Sequence, residues 1–201
     1  MGKFAIASLF LLSACVTTYE NGQLVAERED RSGKPSRLER VQEQVNSRIE
    51  RLKYEHGKEL LATLQELIAL ERLAIAPIGQ ALETADSRTR AHLIYVLGFI
   101  GGGEARQLVV ARLSDQSEIV RYEAAAALMQ IGDWSAVPVL IAFMDSDSRR
   151  LRYKAHEILR LKTKQDYGYD FNAEAASRNE AIQQWKSWWS DRRDQMIYGN
   201  D

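Results

Sequence analysis

Cysteine is almost missing: Cys15 is the only one in 201 residues. A lone thiol cannot close an internal disulfide, and no CxxC or paired Cys/His spacing is present to hold zinc. The histidines His56, His92 and His156 are scattered, with neither HxxxH nor HExxH spacing. No GxSxG elbow occurs, and no motif places a pair of carboxylates. Gly101-Gly102-Gly103 follows a helical rather than a strand pattern, which makes it a helix-to-helix turn and not a phosphate loop. Charge of one sign is not in excess. Lys+Arg 27 against Asp+Glu 28 leaves a net charge of −1, without the basic surplus of a dedicated nucleic-acid binder. These absences leave an enzyme no residue to work with. The expectation is a protein with no catalytic residue, no cofactor, no metal and no nucleic-acid partner. Only three prolines interrupt the chain, and hydrophobic residues make up 45%, a composition suited to packed helices.

What is present begins at the N-terminus. Lys3 supplies a positive charge, and Phe4 to Leu12 form an apolar stretch. The stretch is shorter than the roughly 20 apolar residues a bilayer span requires, and it suits the h-region of a signal peptide. Leu12-Ser13-Ala14-Cys15 follows directly. This short pattern resembles a bacterial lipobox. The resemblance implies cleavage after Ala14, a thioether-linked diacylglycerol on Cys15 and acylation of its new amino group. Several acyl chains are needed, because each buried CH₂ gives about 0.8 kcal/mol and one chain anchors only marginally. Val16 is not Asp, which resembles an outer-membrane sorting signal. The implied location is the cell envelope, on the periplasmic face of the outer membrane, with the membrane reached through the lipid on Cys15.

Residues 15–35 read as a tether. Asn21-Gly22 between short alternating runs signals a type I′ hairpin, but an isolated hairpin is marginal in water, so a flexible tether is the expectation. Ser36 and Glu39 form an S-x-x-E capping box that starts a helix over 36–56. Leu38, Val41, Val45, Ile49 and Leu52 lie on one stripe. The stripe suits either a coiled-coil partner or the rest of this chain. Two heptads fall short of a coiled coil and favour the second reading. After Gly57 the pattern predicts a helix from Leu60 to Ala74.

A repeat organises the centre. Arg90, Arg121 and Arg152 are 31 residues apart, as are Leu97, Leu128 and Leu159. Ala74, Ala105 and Ala136 repeat at the same period in the preceding helices. Each unit predicts two helices; in the middle one these are Glu104 to Leu113 and Glu118 to Ile131, closed by Gly132. One pair cannot bury its apolar face alone, so the units must stack. Asp115, Val120-Arg121, Ala124, Ala125, Leu128 and Ile131-Gly132 resemble the short-repeat form of the HEAT family, over Leu73 to about Lys164. The third unit departs from the pattern, with Thr163 where the closing glycine belongs. The resemblance implies an α-solenoid that binds protein partners and carries out no chemistry. The predicted fold is therefore all-α: HEAT-like pairs over 58–164, an N-terminal amphipathic helix and a C-terminal cap over 165–201.

The cap is read from Ser177-Arg-Asn-Glu180, a second capping box, and from Ile182, Trp185, Trp188 and Trp189. An aromatic ligand cage would use such residues. A solenoid end that must be sealed uses them equally, and the position favours the seal. The Gly-Tyr-Asp and Trp-x-x-Trp-Trp pattern also resembles the tail of other bacterial HEAT-repeat proteins. Finally, Arg149, Arg152, His156 and Arg160 recur at helical spacing, and Arg90 and Arg121 extend them across repeats with Tyr122 and Tyr153 adjacent. These eight residues are the candidate partner-binding groove, suited to an acidic protein segment or an anionic envelope group. The competing reading pairs the repeat arginines with turn aspartates, Asp115 or Asp147. The functional expectation is a membrane-anchored interaction scaffold. The alternatives are a module for an anionic glycan or lipid headgroup, and an accessory subunit of an envelope assembly.

Overall fold

The computed structural model describes residues 17–20, 23–26 and 35–198. Cys15 and the predicted signal sequence lie outside the described residues. The chain divides into two units, Met1–Arg40 and Val41–Asp201.

In the first unit, β1 (Thr17–Glu20) pairs antiparallel with β2 (Gln23–Ala26), in the register Thr17↔Ala26 to Glu20↔Gln23. Where a flexible tether is expected, these two strands are paired. Helix α1 (Arg37–Leu52) starts in this unit. The Glu39 amide donates to Ser36 Oγ at 3.2 Å and the Ser36 amide to Glu39 Oε2 at 2.6 Å, the reciprocal box expected from the sequence.

The second unit is helical. Within it the rest of α1 buries Val45, Ile49 and Leu52 against its own chain, so the stripe docks internally. Helix α2 (Gly57–Ile68) is tied to α1 by Glu66, which takes Arg48 at 3.0 Å and Arg51 at 3.3 Å. The single helix expected over 60–74 breaks instead. It stops at Ile68, Glu71 takes a φ of 49°, and a 3₁₀ turn over Glu71–Ala74 leads on. The break lets the chain enter the first repeat.

Three helix pairs follow: α3 (Ile75–Ala81) with α4 (Ser87–Ile100), α5 (Gly102–Ala111) with α6 (Glu118–Gln130), and α7 (Val137–Phe143) with α8 (Arg149–Thr163). The second helices lie side by side, with α2 on α4, α4 on α6 and α6 on α8. The α4–α6 crossing is the tightest. A Cβ built on Gly98 would stand 2.7 Å from the Ala127 Cβ, so glycine is required for that approach. Helix α6 ends in a Schellman motif at Gly132 (φ 81°), where the Asp133 amide reaches the Leu128 carbonyl at 2.8 Å. Its counterpart α8 runs further. Thr163 is still helical, its hydroxyl donating to the Leu159 carbonyl at 2.8 Å. Lys164 takes the left-handed turn at φ 63°.

Helix α9 (Ala175–Tyr198) begins ahead of the predicted box. Ser177 and Glu180 are inside it, and the Glu174 carbonyl accepts the Arg178 amide at 3.0 Å. Ala175 and Ala176, strong helix formers, carry the start upstream. The helix packs on α7 and buries Ile182, Trp185, Trp188 and Trp189. The Tyr169 hydroxyl donates to the Met144 carbonyl. The last repeat is sealed by aromatic side chains, as the sequence implies.

Candidate functional site

The repeat arginines fold the repeats. Each sits in the first turn of a second helix and reaches back to the carbonyls of the turn before it. Arg90 donates to Ala85 at 2.8 Å, Arg121 to Asp115 at 2.8 Å and Gln116 at 3.0 Å, and Arg152 to Ser146 at 2.8 Å and Asp147 at 3.1 Å. The period of 31 places one guanidinium at each inter-helix turn, where it satisfies acceptors that would otherwise be left over. Arg90 also grips Asp115 of the next repeat bidentately, at 2.7 and 2.9 Å, and Arg152 reaches the Phe171 carbonyl at 2.9 Å. Burial pushes the Asp115 carboxyl up, and the Arg90 guanidinium and the Ser117 amide draw it net below its ordinary value. Asp147 contributes only its carbonyl.

Two of the other candidates, Tyr122 and His156, also turn inward. Tyr122 is buried edge-on to Phe143 at 5.8 Å, and burial pushes its phenol up to about 12. His156 is buried between Tyr169 (4.9 Å) and Trp185 (6.2 Å), and burial lowers its pKa. Arg160 pairs with Glu157 on its own helix at 2.9 Å. Tyr153 stays exposed, edge-on to Phe171 at 5.0 Å. Arg149 is exposed and makes no ion pair among the described residues. The structure does not gather these eight side chains into one open groove. The i, i+4 spacing put Arg152 and His156 on one line, but that line faces the cap, where Phe171, Tyr169 and Trp185 meet it.

The open surface of the second helices is built from other positions, again in register. Arg88, Ile119 and Arg150 form one row across α4, α6 and α8; His92, Glu123 and Lys154 form the next. Between α2, α4 and α6 lies a groove of about 420 Å³, lined by Leu61, Ala91, His92, Tyr95, Ile119 and Glu123 among others. Leu61 is 57% exposed, Tyr95 38% and Ile119 42%. Phe99 lies against Tyr95, ring centroids 4.7 Å apart, and extends the apolar surface. Burial raises the Glu123 pKa, with Lys154 and Arg150 opposing the rise. Burial lowers that of His92, and the Arg88 charge lowers it further. Arg88 itself donates to the Glu55 carbonyl at 2.8 Å.

Sequence reasoning passed over Leu61, Tyr95 and Ile119 because it searched for charge in register. An apolar residue in a helical pattern carries no mark of whether it faces a neighbour or an open groove, so no sequence signal singled them out. Among the described residues no group of three or more His, Cys, Asp or Glu is placed to hold a metal ion, and no helix is long and apolar enough to cross a membrane.

No curated protein matches the chain. A family model described as HEAT repeats matches residues 75–160, the span of the three stacked helix pairs, so the centre of this chain is built of HEAT-like repeats, a fold that generally serves as a protein-interaction scaffold.

Proposed function

We propose that the protein is a non-enzymatic interaction scaffold held at the bacterial cell envelope by lipid on Cys15. The observation that carries the scaffold reading is the apolar groove on the second helices, where Leu61, Tyr95 and Ile119 remain exposed beside a fully packed core. A monomer gains nothing from leaving such a surface open, and exposed apolar patches mark interaction sites. The anchor rests on the lipobox-like Leu12-Ser13-Ala14-Cys15. Its position and the Val16 that follows favour the periplasmic face of the outer membrane. Confinement to a membrane raises the local concentration of a partner without adding contacts.

Labelling with a clickable fatty acid tests the anchor. The wild-type chain should take up label, lose its first fourteen residues and sediment with membranes, while Cys15→Ala should do none of these. An unlabelled protein that keeps its N-terminus overturns it. A second reading, a module for an anionic glycan or lipid headgroup, is favoured by the exposed Arg149 and Arg150. Salt-sensitive retention on anionic envelope ligands, with no protein crosslinked in native envelopes, would select it. One obligate partner copurifying in fixed ratio would make the protein an accessory subunit.

A further inference from the structure

The groove has a basic edge, and the edge specifies its occupant. The row Arg88, Ile119, Arg150 crosses the stack at the N-terminal ends of the second helices, so cations stand on either side of an apolar centre. Lys154 follows Arg150 one turn on, its ammonium 5.0 Å from the Tyr122 ring centroid. On α8 Arg160 pairs with Glu157. Arg88, Arg149, Arg150 and Lys154 have no carboxylate within 4.0 Å among the described residues. Glu123 is the one carboxylate among the residues lining the groove; Arg150 and Lys154, on α8, stand beyond that lining and act on its charge from there.

Helix α8 also opens on Arg149-Arg150 with no acidic residue in its first turn. Positive charge there opposes the helix dipole.

We propose that the groove binds an amphipathic segment of a partner protein. Its apolar side chains enter between Leu61, Tyr95 and Ile119, and its carboxylates lie on Arg88, Arg150 and Lys154. Apolar contact supplies affinity and the charged edge sets orientation and partner choice. A basic segment would meet the positive charges of this edge and be rejected. This proposal rests on the scaffold reading and names the partner chemistry for it.

Fluorescence anisotropy on the full chain tests it, with two fluorescein-labelled amphipathic peptides sharing one Leu/Phe face. One carries Glu at its polar positions and the other Lys. The Glu peptide should bind at least about tenfold tighter at low salt, with the preference shrinking as salt screens the edge. Ile119→Asp, at an exposed site, should weaken the Glu peptide about tenfold with unchanged circular dichroism. Arg150→Glu with Lys154→Glu should reverse the peptide preference. Equal binding of both peptides, or wild-type binding by Ile119→Asp, overturns the proposal. So does retention on phosphatidylglycerol vesicles through Arg150 and Lys154 without peptide binding, which would assign the cations to a lipid surface. Photo-crosslinkers at Tyr95 and at Gln107, on α5, separate this failure from that of the scaffold reading. Protein captured in native envelopes at Gln107 but not Tyr95 overturns the groove and spares the scaffold; capture at neither overturns both.

Discussion

The centre of the stack and its C-terminal end solve the same problem by opposite means. Between α4 and α6 the backbones approach closely, through Gly98 against Ala127. At the end, α9 covers the last repeat with Trp185, Trp188 and Trp189, joined by Tyr167 and Tyr169. Repeat meets repeat with matching shape, so small residues suffice and backbone contact does the packing. The cap has no periodic partner, so large rings fill whatever space remains. Precision of fit holds the middle and buried volume holds the end.

The largest effect should come from the end. Trp185 is fully buried, edge-on to Tyr167 at 5.0 Å and to Trp188 at 5.6 Å. Trp185→Ala should cost about 3–5 kcal/mol by urea unfolding, and hydrogen exchange should show α9 and α8 released before α4 and α6. Uniform loss across the molecule would erase the distinction between end and centre.

The inter-repeat ion pair comes next. Asp115→Asn should cost about 2–3 kcal/mol at pH 7, since it leaves the largely buried Arg90 without its carboxylate. The folded carboxyl titrates below its ordinary value. Its stabilisation is therefore present above the unfolded pKa of about 3.9 and is lost as pH falls through the folded pKa. The gap between wild type and Asp115→Asn should close in acid. A constant gap from pH 7 to pH 3 would show that the charge contributes nothing.

The centre should answer to smaller changes. Gly98→Ala should cost about 1–3 kcal/mol through overpacking against Ala127, and Ala127→Gly in the same chain should recover part of it. Failure of that rescue would show that backbone contact is not what limits the crossing. The smallest effect should be a gain. Lys164 sits in the left-handed region, and Lys164→Gly should stabilise by about 0.5–1 kcal/mol, read as a higher midpoint. No gain would mean that the longer end of α8 is set by the segment after it.

The repeat arginines show how far sequence carried the reading. Their period identified the helix pairs and their order, because turn geometry recurs wherever the pair recurs. The same period suggested a binding ladder, and there it misled. Arg121 and Arg152 are regular because each satisfies carbonyls in its own turn. Tyr95 and Ile119 were passed over for the converse reason: nothing in a helical pattern tells an apolar residue facing a neighbour from one facing an open groove. Trp185 and Ser177 show the same limit at the cap, where the aromatic spacing was legible and the helix start was not.

By itself the amino-acid order determined the all-helical repeat architecture, the capping box of α1 and the internal sealing of the stack's end. These follow from periodicity and local hydrogen bonding, which neighbouring residues along the chain carry in full. Tertiary structure decided between the readings the sequence left open for α1 and for the repeat arginines, and it alone decided that an apolar groove is what stays open. Those outcomes depend on which helix face meets another element, and burial of that kind is a property of the assembled surface rather than of any one segment.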